Sequence, residues 1–270
     1  MQALMRPWGA MHYRTDGPED GLTVVFANSL GTDLRLWDQV LPLLPGIRAL
    51  RYDKRGHGLS DSGGPDTAVT IAGLAGDAAA LIEAEARGPV IFAGLSIGGM
   101  IGQQLAHDRP ELVRALVLSN TAAKMGSAES WNARIAAVRS GGVASIADAV
   151  MERWFAAPFR ATPELALWRN MLARTDAAGY AGACTAIAAA DLSSTTSRLS
   201  LPTLVIAGDQ DGASPPDLVA ETAALIAGAA FRVIPGAGHL PPVEAPSEWA
   251  ALLRPFLHQP LNSHPGTLIP

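Results

Sequence analysis

Cysteine and blocks of like charge are scarce in this sequence. Its 270 residues include one cysteine, Cys184, which excludes an internal disulfide and any zinc site built on several thiolates. Lysine and arginine number 20, aspartate and glutamate number 25, and the formal net charge is −5. Because surfaces that bind nucleic acids carry a block or stripe of basic residues, we expect no nucleic-acid partner.

Long apolar runs are also missing. No uninterrupted stretch approaches the ~18 apolar residues that span a bilayer. Residues 1–16 lack the basic stretch and apolar core of a signal peptide. Hydrophobic residues nevertheless make up 49% of the chain and charged residues 17%, which is enough for a sizeable core. We therefore expect a globular cytoplasmic protein with no membrane partner.

Short apolar runs alternate with segments of helical periodicity. Strands are predicted at residues 22–27, 47–52, 89–93, 113–118, 203–207 and 231–234. Most of these runs are almost continuously hydrophobic, as expected when both faces of a parallel sheet are covered. Between them, residues 71–82 and 217–226 have helical spacing. The alternation predicts an α/β fold with a doubly wound, mostly parallel sheet.

The alternation is interrupted between residues 120 and 199. The segments there are helical and rich in aromatic residues, and strand character resumes at Pro202. We expect a helical cap inserted between two strands of one sheet. The predicted units are a first core part (1–119), the cap (120–199), a second core part (200–257) and a loose C-terminal extension (258–270).

A G-x-S-x-G pentapeptide, Gly94-Leu95-Ser96-Ile97-Gly98, lies between a predicted strand and a predicted helix that opens at Gly99. Such a turn holds the serine hydroxyl in a strained position, and its glycines let the backbone and helix pass without Cβ clashes. The helix N-terminus adds partial positive charge beside the hydroxyl. The strand–turn–helix context predicts that Ser96 is a nucleophile, with a helix-capping serine as the alternative.

A serine nucleophile needs a base, and the base needs an orienting acid. His239 lies in a glycine-rich loop directly after the last predicted strand, at the sheet edge where open α/β folds bind ligands. His57 follows an earlier strand, in a segment that reads as a structural turn. The acid is expected in the loop after strand 203–207, where Asp211 is favoured and Asp209 is the alternative.

Several segments around these residues carry a family resemblance. They are residues 28–33 (NSLGTD), 51–58 (RYDKRGHG), 94–103 (GLSIGGMIGQ), 118–123 (LSNTAA), 131–135 (WNARI), 153–155 (RWF) and 179–184 (GYAGAC). The first two segments and the G-x-S-x-G turn resemble the α/β-hydrolase superfamily. More narrowly, segment 94–103 and the segments after it resemble the 3-oxoadipate enol-lactonases of that superfamily. The resemblance covers about residues 10–257, and the order Ser96, Asp211, His239 is the order of that superfamily.

The resemblance implies a serine hydrolase that opens an enol-lactone to 3-oxoadipate through an acyl-enzyme, in the β-ketoadipate pathway of aromatic degradation. It also implies an oxyanion hole formed by the backbone N–H groups of Leu30 and Ile97, with no metal and no cofactor. A general carboxylesterase, a carbon–carbon bond hydrolase and a ligand-sensing protein on a hydrolase scaffold remain as alternatives. A haloalkane dehalogenase is disfavoured because it needs a carboxylate where Ser96 stands.

The implied substrate is a small anion, whose carboxylate needs a local cation because the protein is net negative. Arg134 is the first candidate, since it lies one helical step after Trp131 and shares a face with it. Lys124, near the point where the cap leaves the sheet, is the second. Trp131 and Trp154 are further candidate substrate contacts, with a role as buried core residues as the alternative for each. The sequence does not specify an oligomeric state.

Overall fold

The computed structural model describes residues 1–64 and 68–258, which are built around one eight-stranded sheet. The strands are β1 (Gln2–Arg6), β2 (Gly9–Asp16), β3 (Leu22–Ala27), β4 (Ile47–Tyr52), β5 (Val90–Leu95), β6 (Val113–Ser119), β7 (Thr203–Gly208) and β8 (Ala230–Ile234). Their order is β1-β2-β4-β3-β5-β6-β7-β8. The pairings of β2 with β1 and β4 are antiparallel, and the other pairings are parallel. The predicted fold class is confirmed.

Helices connect the strands and cover the sheet. They are α1 (Ile71–Glu85), α2 (Ile97–Asp108), α3 (Ala128–Gly141), α4 (Ala147–Trp154), α5 (Ala157–Arg160), α6 (Leu165–Ala173), α7 (Ala177–Ala189), α8 (Ser193–Thr196), α9 (Pro216–Leu225), α10 (Pro241–Glu244) and α11 (Pro246–His258). Helix α1 packs against α2, and α9 packs against β7 and β8. None of the helices within the described ranges has the length and apolar character needed to cross a membrane.

The core forms because the central strands are apolar on both faces. All six residues of β5 and all six of β7 are buried. An aromatic cluster extends the core beyond the sheet, with ring centroids 5.0 Å apart for Phe26 and Trp37 and 5.4 Å apart for Trp37 and Trp249. Burial of rings of this size contributes a large share of the hydrophobic free energy of a domain.

The parallel strands bring the functional candidates to one edge. Strands β3 to β8 run parallel to one another, so their carboxyl ends meet there. Ser96 follows β5 directly, Asp211 lies in the turn after β7, and His239 lies in the loop after β8. Ligands of open α/β sheets bind at this edge.

Three details differ from the sequence prediction or extend it. Neither strand of the β1–β2 hairpin is among the strands predicted from the apolar runs, and α2 begins at Ile97 instead of Gly99. Helices α3 to α8 all lie between β6 and β7, in the interval predicted to be helical. The division of the chain at residues 119 and 199 stays a prediction. Helix α11 reaches residue 258, and residues 259–270 of the predicted extension lie outside the described residues.

Candidate active site

Ser96 occupies a turn whose backbone is strained and firmly held. Its φ of 58° and ψ of −122° place a non-glycine residue in the left-handed half of conformational space, which costs about 1–3 kcal/mol. The Ser96 N–H donates to Ser119 O (3.0 Å). The Ser96 carbonyl accepts from Gly99 N–H (2.8 Å) and from the Thr121 hydroxyl (2.7 Å). These bonds hold the serine side chain at the start of α2.

The flanking glycines are required by close backbone approaches. A Cβ at Gly94 would lie 2.2 Å from the carbonyl oxygen of Gly98, and a Cβ at Gly98 would lie 2.1 Å from that of Ala27. No side chain fits at either distance. The spacing of the pentapeptide is therefore a packing requirement of the crossing between α2, β5 and β3.

The side chains of His239 and Asp211 are buried and in direct contact. His239 Nδ1 lies 2.8 Å from Asp211 Oδ2, and both side chains are almost fully buried. The main-chain N–H of His239 donates to the carbonyl of Trp154 (2.7 Å), which ties the histidine loop to the cap. With Nδ1 engaged by the carboxylate, Nε2 is the nitrogen left to exchange a proton.

Further donors complete the environment of the Asp211 carboxylate. Oδ2 also accepts from Asn120 Nδ2 (2.9 Å) and from the Ser214 hydroxyl (2.8 Å). Oδ1 accepts from the main-chain N–H groups of Ala213 (2.7 Å) and Ser214 (2.9 Å). Burial raises the pKa of Asp211, but His239 and these hydrogen bonds outweigh burial and hold the pKa below its usual value. The group is a carboxylate near neutral pH.

Asp209 has a different environment. Its Oδ1 accepts the main-chain N–H of Gly236 at 2.7 Å, at an exposed position. The structure thus brings Asp211, and not Asp209, to His239.

A pocket opens over Ser96 and His239 between the strand ends and the cap. Its lining consists of Ser29, Leu30, Ser96, Met125, Gly126, Ser130, Trp131, Arg134, Arg153, Trp154, Tyr180, Ala213 and His239. Two of these residues are arginines, and none of the described lining residues is Asp or Glu. The pocket therefore offers positive charge and no opposing carboxylate.

The two arginines come from different cap helices. The Arg134 guanidinium lies over the Trp131 ring, 4.9 Å from its centroid, and this cation–π contact orients it. Arg153 Nε donates to Gly212 O at 3.2 Å. Partial burial and the nearby charge of Arg134 lower the pKa of Arg153. Burial raises the pKa of Tyr180 to about 12, so its phenol is neutral near neutral pH.

Two backbone N–H groups close to Ser96 in the fold were predicted to stabilise an oxyanion, those of Ile97 and Leu30. Ile97 is the first residue of α2, so its N–H has no acceptor within the helix. Leu30 lies in the loop after β3 and lines the pocket. The neighbouring Ser29 hydroxyl is buried and has no hydrogen-bond partner among residues 1–64 and 68–258. The assignment of the Leu30 and Ile97 N–H groups to an oxyanion hole stays a prediction.

The cap residues predicted from the sequence divide into two groups. Trp131, Arg134 and Trp154 line the pocket, but Lys124 does not. Lys124 is exposed, and its Nζ lies 3.1 Å from Asp191 Oδ2, so the second candidate cation is already paired elsewhere.

Sequence reasoning missed several residues of the site, and four of them carry side chains that bear on its chemistry. Arg153 and Tyr180 line the pocket, and Asn120 and Ser214 bind the Asp211 carboxylate. The RWF and GYAGAC segments already carried the family resemblance, and this signal could have selected Arg153 and Tyr180. Asn120 has a positive φ of 50°, which no local pattern in the sequence indicated.

The comparisons with known proteins agree with this geometry. A family model for the alpha/beta hydrolase fold matches residues 23–246. The chain belongs to the α/β-hydrolase family. Within that family, it is 39% identical to 3-oxoadipate enol-lactonase 2 of Acinetobacter baylyi over 205 residues, which are 75% of this chain and 76% of that protein. Similarity to 3-oxoadipate enol-lactonase 1 of the same organism is 36% identity over 199 residues, 73% and 74% of the two chains.

Solved structures give the same result. The enol-lactonase from Burkholderia xenovorans LB400 superposes with a TM-score of 0.90 and 37% identity, covering 95% of this chain and 99% of that one. A thermophilic esterase from Thermogutta terrifontis, described with malate bound, superposes with a TM-score of 0.87 and 29% identity, covering 95% and 98%. The resemblance to enol-lactonases predicted from the sequence is confirmed.

The two carboxylates after β7 provide a matched pair of variants. We expect Asp211→Asn to lower kcat for ester hydrolysis by about 10³- to 10⁴-fold, because an amide no longer fixes the His239 tautomer or stabilises its charged form. Asp209→Asn should keep activity within a few-fold of wild type, since an amide oxygen can still accept from Gly236. Steady-state kinetics of the two folded variants test this, and the opposite ranking would contradict it.

Proposed function

We propose that this hydrolase opens the enol-lactone of 3-oxoadipate to 3-oxoadipate, with Ser96, His239 and Asp211 as its catalytic residues. The observation that carries the proposal is the combination, in one pocket, of Ser96 and His239 with two arginines and, in the described part of the lining, no acidic residue. The similarity to proteins described as enol-lactonases supports the choice of substrate. The reaction would belong to the cytoplasmic degradation of aromatic compounds by the β-ketoadipate pathway.

The first half of the reaction acylates the serine. His239 Nε2 takes the proton from the Ser96 hydroxyl while Oγ attacks the lactone carbonyl carbon. The developing oxyanion lies against the N–H groups of Leu30 and Ile97. Collapse of the tetrahedral intermediate breaks the ring carbon–oxygen bond, and His239 returns the proton to the leaving oxygen. The released enol tautomerises to the ketone while the acyl group stays on Ser96.

The second half restores the enzyme. Water attacks the acyl carbon, and His239 takes its proton as general base. Collapse of the second intermediate expels Ser96 Oγ, which regains the proton, and releases 3-oxoadipate. The Asp211 carboxylate holds His239 in one tautomer and stabilises the imidazolium in both halves. The balance of the reaction is one lactone and one water for one dicarboxylic acid.

Arg134 supplies the specificity for an anionic lactone. The substrate carries a carboxylate that is ionised near neutral pH, and burial of this charge without a partner is costly. A guanidinium can bind it through two parallel hydrogen bonds. Arg134 is held over Trp131, so less side-chain freedom is lost on binding. Trp131 and Trp154 form walls for the apolar part of the ring.

The nucleophile assignment predicts a strong loss of activity in Ser96→Ala. Activity should fall at least ~10³-fold, because only binding and the oxyanion donors remain. Stability should change little, since the glycines and the backbone hydrogen bonds set the turn. Wild-type protein quenched during turnover should show a mass increase on the peptide that contains Ser96. A variant with normal circular dichroism and more than about a tenth of wild-type activity would exclude Ser96 as nucleophile.

The substrate assignment predicts a selective effect of Arg134→Ala. It should lower kcat/KM for the anionic enol-lactone by about 30- to 700-fold, or about 2–4 kcal/mol of transition-state stabilisation. Hydrolysis of a small neutral ester should hardly change, because no charge pair is lost.

The exposed Arg139, near the end of the same helix α3, provides the control. Arg139→Ala should leave both rates near wild type. Equal losses on both substrates in Arg134→Ala would assign a structural role to Arg134. No loss on either substrate would contradict its role in recognition and favour a general carboxylesterase.

A further inference from the structure

Lys54 is a buried lysine directly beneath the loop that carries Leu30. The residue is 2% exposed and follows β4 in the chain. Its Nζ lies 2.5 Å from Ser29 O and 3.4 Å from both Asn28 O and Thr32 O. Burial of an amine on this scale is costly unless hydrogen bonds compensate it, and here three carbonyls of one short loop accept from it.

The shortest of these contacts bears on the Leu30 N–H. Ser29 O and the Leu30 N–H belong to the same peptide unit, which is trans. In a trans peptide the C=O and N–H bonds point in opposite directions. Ser29 O accepts from Lys54 Nζ and also from the Thr32 hydroxyl (3.0 Å) and the Thr32 N–H (3.3 Å), and of these donors only Lys54 can carry a charge. Leu30, on the other end of this peptide unit, lines the pocket. A donor on the carbonyl fixes the orientation of the peptide plane and, by polarising it, strengthens its N–H as a donor.

We propose that Lys54 is a positioning residue that orients and polarises the Ser29–Leu30 peptide so that the Leu30 N–H stabilises the oxyanion. This inference rests on the proposed function, because it assumes that an oxyanion forms above Ser96. Lys54 itself does not line the pocket, so it acts through the peptide and not on the substrate.

The charge of Lys54 is sensitive to pH. Burial lowers the pKa of Lys54 to about 7, against the opposing attraction of Asp53 and Asp33. His57 also faces it, and its own pKa is held well below the usual value by burial and by Lys54, so the imidazole is neutral. Lys54 is therefore an ammonium below about pH 7 and loses its charge above it. An uncharged amine still donates a hydrogen bond but polarises the peptide less.

The expected consequence is a decrease of kcat on the alkaline side of its pH profile, called the alkaline limb below. Loss of the Lys54 charge weakens the oxyanion donor as the pH rises through about 7. Ground-state binding does not involve the oxyanion, so KM should change little across this range.

The test compares Lys54→Gln, Lys54→Met and wild type with p-nitrophenyl acetate as a neutral substrate. We expect Lys54→Gln, which keeps a donor without charge, to lower kcat about 10- to 100-fold with little change in KM. It should also remove the alkaline limb. Lys54→Met, which keeps no donor, should lose more. Lys124→Met, at an exposed lysine outside the pocket lining, is the matched control and should retain the wild-type profile.

Two outcomes would overturn the inference. The first is a folded Lys54→Gln with wild-type kcat and the wild-type pH profile. The second, which applies even when neither Lys54 variant folds, is a wild-type kcat profile without a limb near pH 7. Failure of the proposed function looks different, because wild type would then not hydrolyse the ester or Ser96→Ala would still do so.

Discussion

The buried carboxylate of Asp211 is the group on which the arrangement of the site depends. Its donors come from the loops after three strands, with Asn120 after β6, Ala213 and Ser214 after β7, and His239 after β8. A buried carboxylate that lost these partners would be strongly destabilising. The native state therefore requires the three loops to converge, and this convergence sets the position of His239 relative to the nucleophile.

The same convergence holds the cap over the site. Residues 153–156 lie beside the loop that carries Asp211 and the loop that carries His239. The carbonyl of Arg153 accepts from Gly212 N–H in the Asp211 loop, and the carbonyl of Trp154 accepts from His239 N–H. The Glu244 carboxylate accepts two more hydrogen bonds, one from the N–H of residue 156 in the cap and one from the N–H of residue 238 in the loop of His239. These hydrogen bonds attach the cap segment 153–156 to the loops of Asp211 and His239. The cap residues of the pocket are therefore held in a fixed position relative to the residues at the sheet edge.

Local patterns predicted the central strands and the turn of Ser96, because a sheet covered on both faces requires almost continuous apolar runs. Strand β1 was not predicted, since its residues alternate between half-buried and exposed positions and pairing with β2 holds it. Long-range contacts determine the features of the site that local sequence patterns did not predict. Asp209 and Asp211 lie in one turn, where the sequence favoured Asp211, and the contact with His239 decides between them. Lys54 belongs to a charged turn in the sequence, and its contact with the carbonyls of another loop follows from the tertiary fold alone.

The most direct measurement is the reaction of the purified protein with the enol-lactone of 3-oxoadipate, followed by the loss of enol-lactone absorbance and the appearance of 3-oxoadipate. The account predicts many turnovers per active site and a higher kcat/KM than for a neutral aryl ester of similar size. Consumption of no more than one equivalent of lactone would instead indicate a ligand-sensing protein. Efficient turnover of the neutral ester with the lactone left intact would contradict the assignment of an anionic lactone as substrate.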